Sequence, residues 1–111
     1  FPYTTLFRSA MASRVSLTFH AQLEREQIVA YLAEKLGEPS AAASFNDAFI
    51  GVRRNIERFP KMYPLCRDCT LADRGYRKAQ VGNYLLLYTT DGDASVIHHI
   101  FHQSQDYAAL V

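Results

Sequence analysis

Residues Arg74–Asp93 read RGYRKAQVGNYLLLYTTDGD. Two turn signals divide this stretch. Gly82-Asn83 separates its first two apolar runs, and Asp91-Gly92 closes the second, Asp-Gly being a strong tight-turn signal. Between them Tyr84–Tyr88 is apolar at every position, the pattern of a strand buried on both faces. With Tyr76–Val81 before it and Ala94–His102 after it, the stretch predicts three consecutive strands. It also opens on three cations, Arg74, Arg77 and Lys78. Unpaired charge is costly to bury, so this end of the strand pair is expected to be exposed and to meet an acidic partner.

Upstream, VSLTF (Val15–Phe19) alternates, with Val15, Leu17 and Phe19 on one face, as a half-buried strand does. HAQLEREQIVAYLAEKLG then carries a loose helical stripe of Leu23, Ile28, Leu32 and Leu36, and Gly37 is a natural stop. Pro39 suits the first turn of a second helix. Along PSAAASFNDAFIGVRRNIERF, the residues Phe45, Ala48, Phe49, Val52, Ile56 and Phe59 follow helical spacing closely. So short a connection predicts an antiparallel helical hairpin. KMYPLCRDCTLAD reads as a loop, and QSQDYAALV as a short tail over one sheet edge. The order is β-α-α-β-β-β. It predicts an α+β domain, a helical hairpin packed on a small, mostly antiparallel four-stranded sheet.

The bulk properties set limits. With 111 residues, 49% of them apolar and 21% charged, the chain suits one globular domain with one modest core. A net charge of +1 lacks the overall basic signature of a nucleic-acid binder, so any positive surface is local. No run of roughly 18 apolar residues is present, so no membrane span is expected. The first ten residues, FPYTTLFRSA, precede Met11 and lack the features of a secretory signal. A non-native or disordered leader is expected over residues 1–10 and a single domain over 11–111, an additional edge strand being the alternative for the leader. Cys66 and Cys69 form one CxxC, half of a four-ligand zinc site, for which His98, His99 and His102 could in principle supply the second pair. The plainer reading is two reduced thiols in a loop. Neither a metal nor a small-molecule cofactor is expected.

Four pieces, IERFPKMYP, RGYRKAQVGNYLLLY, DGDASVIHHIFH and QDYAALV, resemble in this order the RelE/ParE superfamily of bacterial type II toxins. The likeness covers nearly all of Val15–Val111. It implies a small cytoplasmic toxin produced with a cognate antitoxin. RelE-like members are ribosome-dependent endoribonucleases that cut mRNA, and ParE-like members inhibit DNA gyrase without being nucleases. Enzyme status therefore depends on the branch.

For RNA cleavage the resemblance implies Arg77 as a phosphate-binding cation, with His102 and Tyr107 available for proton transfer. For contact with a target or antitoxin it implies Arg74, Arg77, Lys78, His102, Asp106 and Tyr107. Three departures favour the gyrase branch. The net charge is low for a protein docking on ribosomal RNA. Residues 89–97 hold no Arg or Lys where RelE-like chains carry a second arginine. The second helix is long. A non-toxic binding module on the same fold is a further alternative. Strict alternation predicts that Arg77 and Lys78 point to opposite faces, that His98 and His102 share a face, and that His99 takes the other. Tyr84 and Tyr88 read as core.

Overall fold

A computed structural model describes residues 14–111. The expected leader, residues 1–10, and the Met11 start lie outside the described residues. β1 (Arg14–Leu17) runs straight into α1 (Phe19–Ala30), which continues as a wider π-type turn over Tyr31–Lys35. There follow α2 (Pro39–Arg58), α3 (Cys69–Asp73), β2 (Arg77–Val81), β3 (Tyr84–Asp91), β4 (Ala94–His102) and α4 (Tyr107–Leu110). The strands are ordered β1-β4-β3-β2. β1 is parallel to β4, and the other pairs are antiparallel. This is the expected α+β architecture, a helical hairpin on a four-stranded, mostly antiparallel sheet.

Thr18 decides where β1 ends. Its N–H donates to the Ile97 carbonyl at 3.0 Å as the last rung of the pairing. Its hydroxyl accepts the Ala21 N–H at 3.0 Å, which caps α1. The same hydroxyl donates to the His98 carbonyl at 3.3 Å. Capping therefore overrides the alternation that assigned Phe19 to the strand. Phe19 becomes the first residue of α1 and is 84% exposed.

The hairpin packs as its spacing predicts, with the stripe trimmed at its ends. Phe45, Phe49, Val52 and Ile56 of α2 are buried, and Ile28 and Leu32 pack beside them. They meet Ala79, Val81, Leu86, Tyr88, Ile97 and Ile100 of the sheet. Phe59 falls beyond the last helical residue and is 64% exposed, and Leu23 and Leu36 are also exposed. Gly37 joins the helices at φ +62, a left-handed conformation that L side chains adopt at a cost. Arg25 links the pair. One guanidinium nitrogen donates to Asn46 Oδ1 at 3.3 Å, and the group lies 4.8 Å over the Phe49 ring.

β3 is covered on both sides. Leu86 and Tyr88 face the helices, whereas Leu87 joins a second core with Cys66, Leu71, Tyr76 and Phe101. Tyr107, Ala108 and Val111 of the tail pack against that second core, so the tail covers a face rather than only an edge. The segment read as a loop contains α3, whose cap is the Asp68 carboxylate accepting the Leu71 N–H at 3.0 Å.

Ile56→Ala is expected to cost about 2–5 kcal/mol in urea unfolding. Phe59→Ala is expected to stay within about 0.5 kcal/mol. Equal costs would show that the buried stripe of α2 extends past Ile56.

Candidate functional site

The three cations at the start of β2 go to different places. Arg77 turns to the helix side and stays among backbone carbonyls. Its guanidinium donates to Tyr63 O at 2.7 Å and Lys61 O at 3.4 Å. Tyr88 reinforces the same loop by donating its hydroxyl to Pro60 O at 2.6 Å, and Asn55 donates to the Tyr63 hydroxyl at 3.0 Å. The Tyr63 and Tyr88 rings meet edge to face. Burial pushes the Tyr88 phenol up, and Arg77 pulls it partly back. The IERFPKMYP segment is thus clamped to the sheet by β2 and β3.

Lys78, next along the strand, projects to the opposite face. Its ammonium lies 5.6 Å from the centre of the Tyr107 ring. Arg74, just before the strand, stacks 5.2 Å over Tyr76, and Tyr76 meets His98 edge to face. His98 arrives there because β4 bulges. Leu87 pairs with His99 but Tyr88 pairs with Ile97, so one extra residue is inserted. Ile97 and Ile100, three apart, consequently both enter the helix-side core. The expectation that His98 and His102 share a face is corrected by this bulge. His98 Nε2 lies 2.9 Å from Thr89 Oγ1. Burial, then the nearby Arg74, holds its imidazole below the ordinary histidine range. His99 is lowered in the same direction, again chiefly by burial.

His102 ends β4 on the helix side, its ring edge to face with Tyr84, which in turn meets Phe45. Its Nδ1 accepts the Ser104 N–H at 3.1 Å and lies 2.7 Å from the Ser104 hydroxyl. With Nδ1 accepting, the neutral ring carries its proton on Nε2. His102 lines a groove of about 560 Å³ with Tyr31, Leu36, Phe45, Asn83 and Tyr84. Asp106 is exposed, and its side chain makes no capping hydrogen bond to α4.

The predicted residues therefore fall into three groups. Arg74, Lys78 and Tyr107 share the tail-side face, Arg77 is held in the Lys61–Tyr63 loop, and His102 sits at the groove. The groove residues Tyr31 and Leu36 were missed in the sequence reading. The available signal was Tyr31, an aromatic outside the α1 stripe, followed by a leucine in the turn before Gly37. Cys66 is buried in the second core, and burial pushes its thiol up, which leaves it a poor nucleophile. Cys69 is exposed, and both cysteines are free.

Arg77→Ala is expected to lower stability by about 1–3 kcal/mol in chemical unfolding, because two carbonyls lose a charged donor. Unchanged stability would mean that its guanidinium is available to a target.

Over residues 15–107 the chain matches the model of a family described as the ParE toxin of the type II toxin–antitoxin system, parDE. Among solved structures it is similar to the chromosomal ParDE toxin–antitoxin system of P. aeruginosa. That pair aligns with a TM-score of 0.64 and 12% identity, covering 81% of this chain and 95% of the other. It is also similar to the toxin–antitoxin complex RelBE2 of Mycobacterium tuberculosis, with a TM-score of 0.57 and 20% identity, covering 86% of this chain and 95% of the other. No curated protein matches the sequence. The structural likenesses establish a shared fold, and the family match extends from β1 to the first residue of α4: the chain belongs to the ParE toxin family of type II toxin–antitoxin systems.

Proposed function

We propose that this chain is a growth-inhibiting toxin that acts on DNA gyrase in the cytoplasm and is neutralised by a cognate antitoxin. The observation that carries the gyrase reading is the dispersal of the groups that RNA cleavage needs together. A ribonuclease of this kind brings a general base, a general acid and phosphate-binding cations around one phosphodiester. Here His102 lies at the groove on the helix side, and Tyr107 lies on the opposite face under Lys78. Arg77 is engaged by Tyr63 O and Lys61 O. A protein that blocks another by binding has no such requirement for convergence. A role in plasmid stabilisation accords with such a toxin. Among the described residues no helix is long and apolar enough to cross a membrane.

The proposed antitoxin contact combines apolar and charged surface. Tyr31 and Leu36 are about half exposed beside the groove, and Arg74 is exposed on the tail-side face. A partner segment with apolar and acidic residues suits both. The two solved relatives are themselves toxin–antitoxin systems, which supports a hetero-oligomer here.

One observation favours an mRNA endoribonuclease acting on the ribosome as the second reading. Lys78 and the Tyr107 ring lie together on one face, near the exposed cation Arg74. The two readings separate in paired assays on the purified chain, plasmid supercoiling by gyrase and mRNA integrity during cell-free translation. The expected result is loss of supercoiling with intact mRNA, and little change in Tyr107→Phe. Codon-phased mRNA cleavage, lost in Tyr107→Phe or His102→Ala, would establish the ribonuclease instead.

A further inference from the structure

Where β1 turns into α1, three side chains distant in sequence come together. His20 and Glu24 are one turn apart near the start of α1 and share a helix face. β4 sets His99 against them. His20 Nε2 is 3.4 Å from Glu24 Oε2, and His99 Nδ1 is 3.8 Å from Glu24 Oε1. One ligand atom from each residue lies within 4.8 Å of the other two. Among the described residues no other three His, Cys, Asp or Glu side chains are so arranged, and Cys66 and Cys69 take no part.

The spacing suits a cation between them. Ligands about 2.0–2.2 Å from a tetrahedral zinc ion stand roughly 3.3–3.6 Å from one another. The remaining closure falls to His20, whose side chain is 63% exposed and has room to swing. Two further features are those of a prepared site. His99 Nδ1 is buried without a hydrogen-bond partner. The Glu24 carboxylate is fixed through Oε1, which accepts the Ile100 N–H at 2.9 Å. A ligand oriented by a neighbouring backbone group is how the surroundings of a metal ion prepare its site.

We propose that His20, Glu24 and His99 bind one divalent transition-metal cation of the zinc class. Two imidazoles and a carboxylate select zinc, nickel or copper over magnesium and calcium, which prefer all-oxygen sites. His20 and Glu24 line a groove of about 510 Å³ together with Gln27, Ile28 and His102, from which water would fill the fourth coordination position. The tie has a structural consequence. Pairing of β1 with β4 stops at Leu17 and Ile97, and the cation joins α1 to the stretch of β4 just beyond. The inference stands apart from the choice between gyrase and mRNA, because it rests on the fold alone. It revises the expectation of no metal, which weighed only the CxxC and the β4 histidines.

The test is titration of the full chain, free of any purification tag, with ZnCl2 alone, by calorimetry and by thermal melting. One Zn2+ per chain is expected. The midpoint should rise by roughly 10–15 °C when free Zn2+ is about 100 times Kd, whereas MgCl2 should leave it unchanged. His20→Ala should melt like the wild type without metal, because the side chain is exposed. It should weaken Zn2+ binding at least about tenfold and cut the rise in midpoint to about half or less. His99→Gln should also lose binding. Absence of Zn2+ binding, binding undiminished in His20→Ala, or binding lost in Cys69→Ser instead would each overturn the proposal.

Discussion

A strand with five consecutive nonpolar side chains cannot be hidden by a single layer. Tyr84–Tyr88 forms such a strand at the centre of the sheet, and Leu86, Leu87 and Tyr88 are fully buried. Side chains alternate across a pleated strand, so each face requires its own cover. The helical hairpin supplies one. Residues around Cys66–Tyr76, together with the tail from Tyr107, supply the other. Full burial of each Leu or Ile side chain stabilises the fold by about 1.5–3 kcal/mol. The two-sided arrangement therefore outweighs the local preferences of the loop and tail that complete it.

This constraint also distributes the charged and aromatic residues. Because β2 pairs with β3 in register, Arg77 falls opposite Tyr88 and Lys78 opposite Leu87. Arg77 consequently reaches the segment leaving α2, where Tyr88 already holds Pro60. Lys78 reaches the tail and the Tyr107 ring. At the far end of the sheet, Tyr84 pairs with His102 and carries it to the helix-side groove. One strand's need for two covers thus separates side chains that a ribonuclease would gather. A binding toxin can use the faces independently.

Much of this was legible in the sequence because it depends on periodicity and turn chemistry. Asp91-Gly92 and Gly82-Asn83 marked the hairpins, Gly37 and Pro39 marked the joint between the helices, and the Phe45–Ile56 spacing marked the buried face of α2. Three features were hidden because each depends on a contact between distant segments. The Thr18 cap, which turns Phe19 out of β1, involves both Ala21 and the His98 carbonyl. The β4 bulge has no residue signature in ASVIHHIFH, yet it reverses the facing of His98. The meeting of His20, Glu24 and His99 requires α1 to lie along β4 beyond the end of β1. The separate destinations of Arg74, Arg77 and Lys78 were only half legible: alternation gave the opposite faces, but not the carbonyls that engage Arg77.

The two-sided burial of β3 is tested most directly by comparing the full chain with one ending at Gln105, in urea unfolding with a hydrophobic dye as second readout. Without Tyr107, Ala108 and Val111, the account predicts a loss of roughly 2–4 kcal/mol and dye binding at the uncovered Leu87 and Phe101. Stability unchanged to within about 0.5 kcal/mol, with no dye binding, would contradict it, because the tail would then be no part of the second cover that β3 needs.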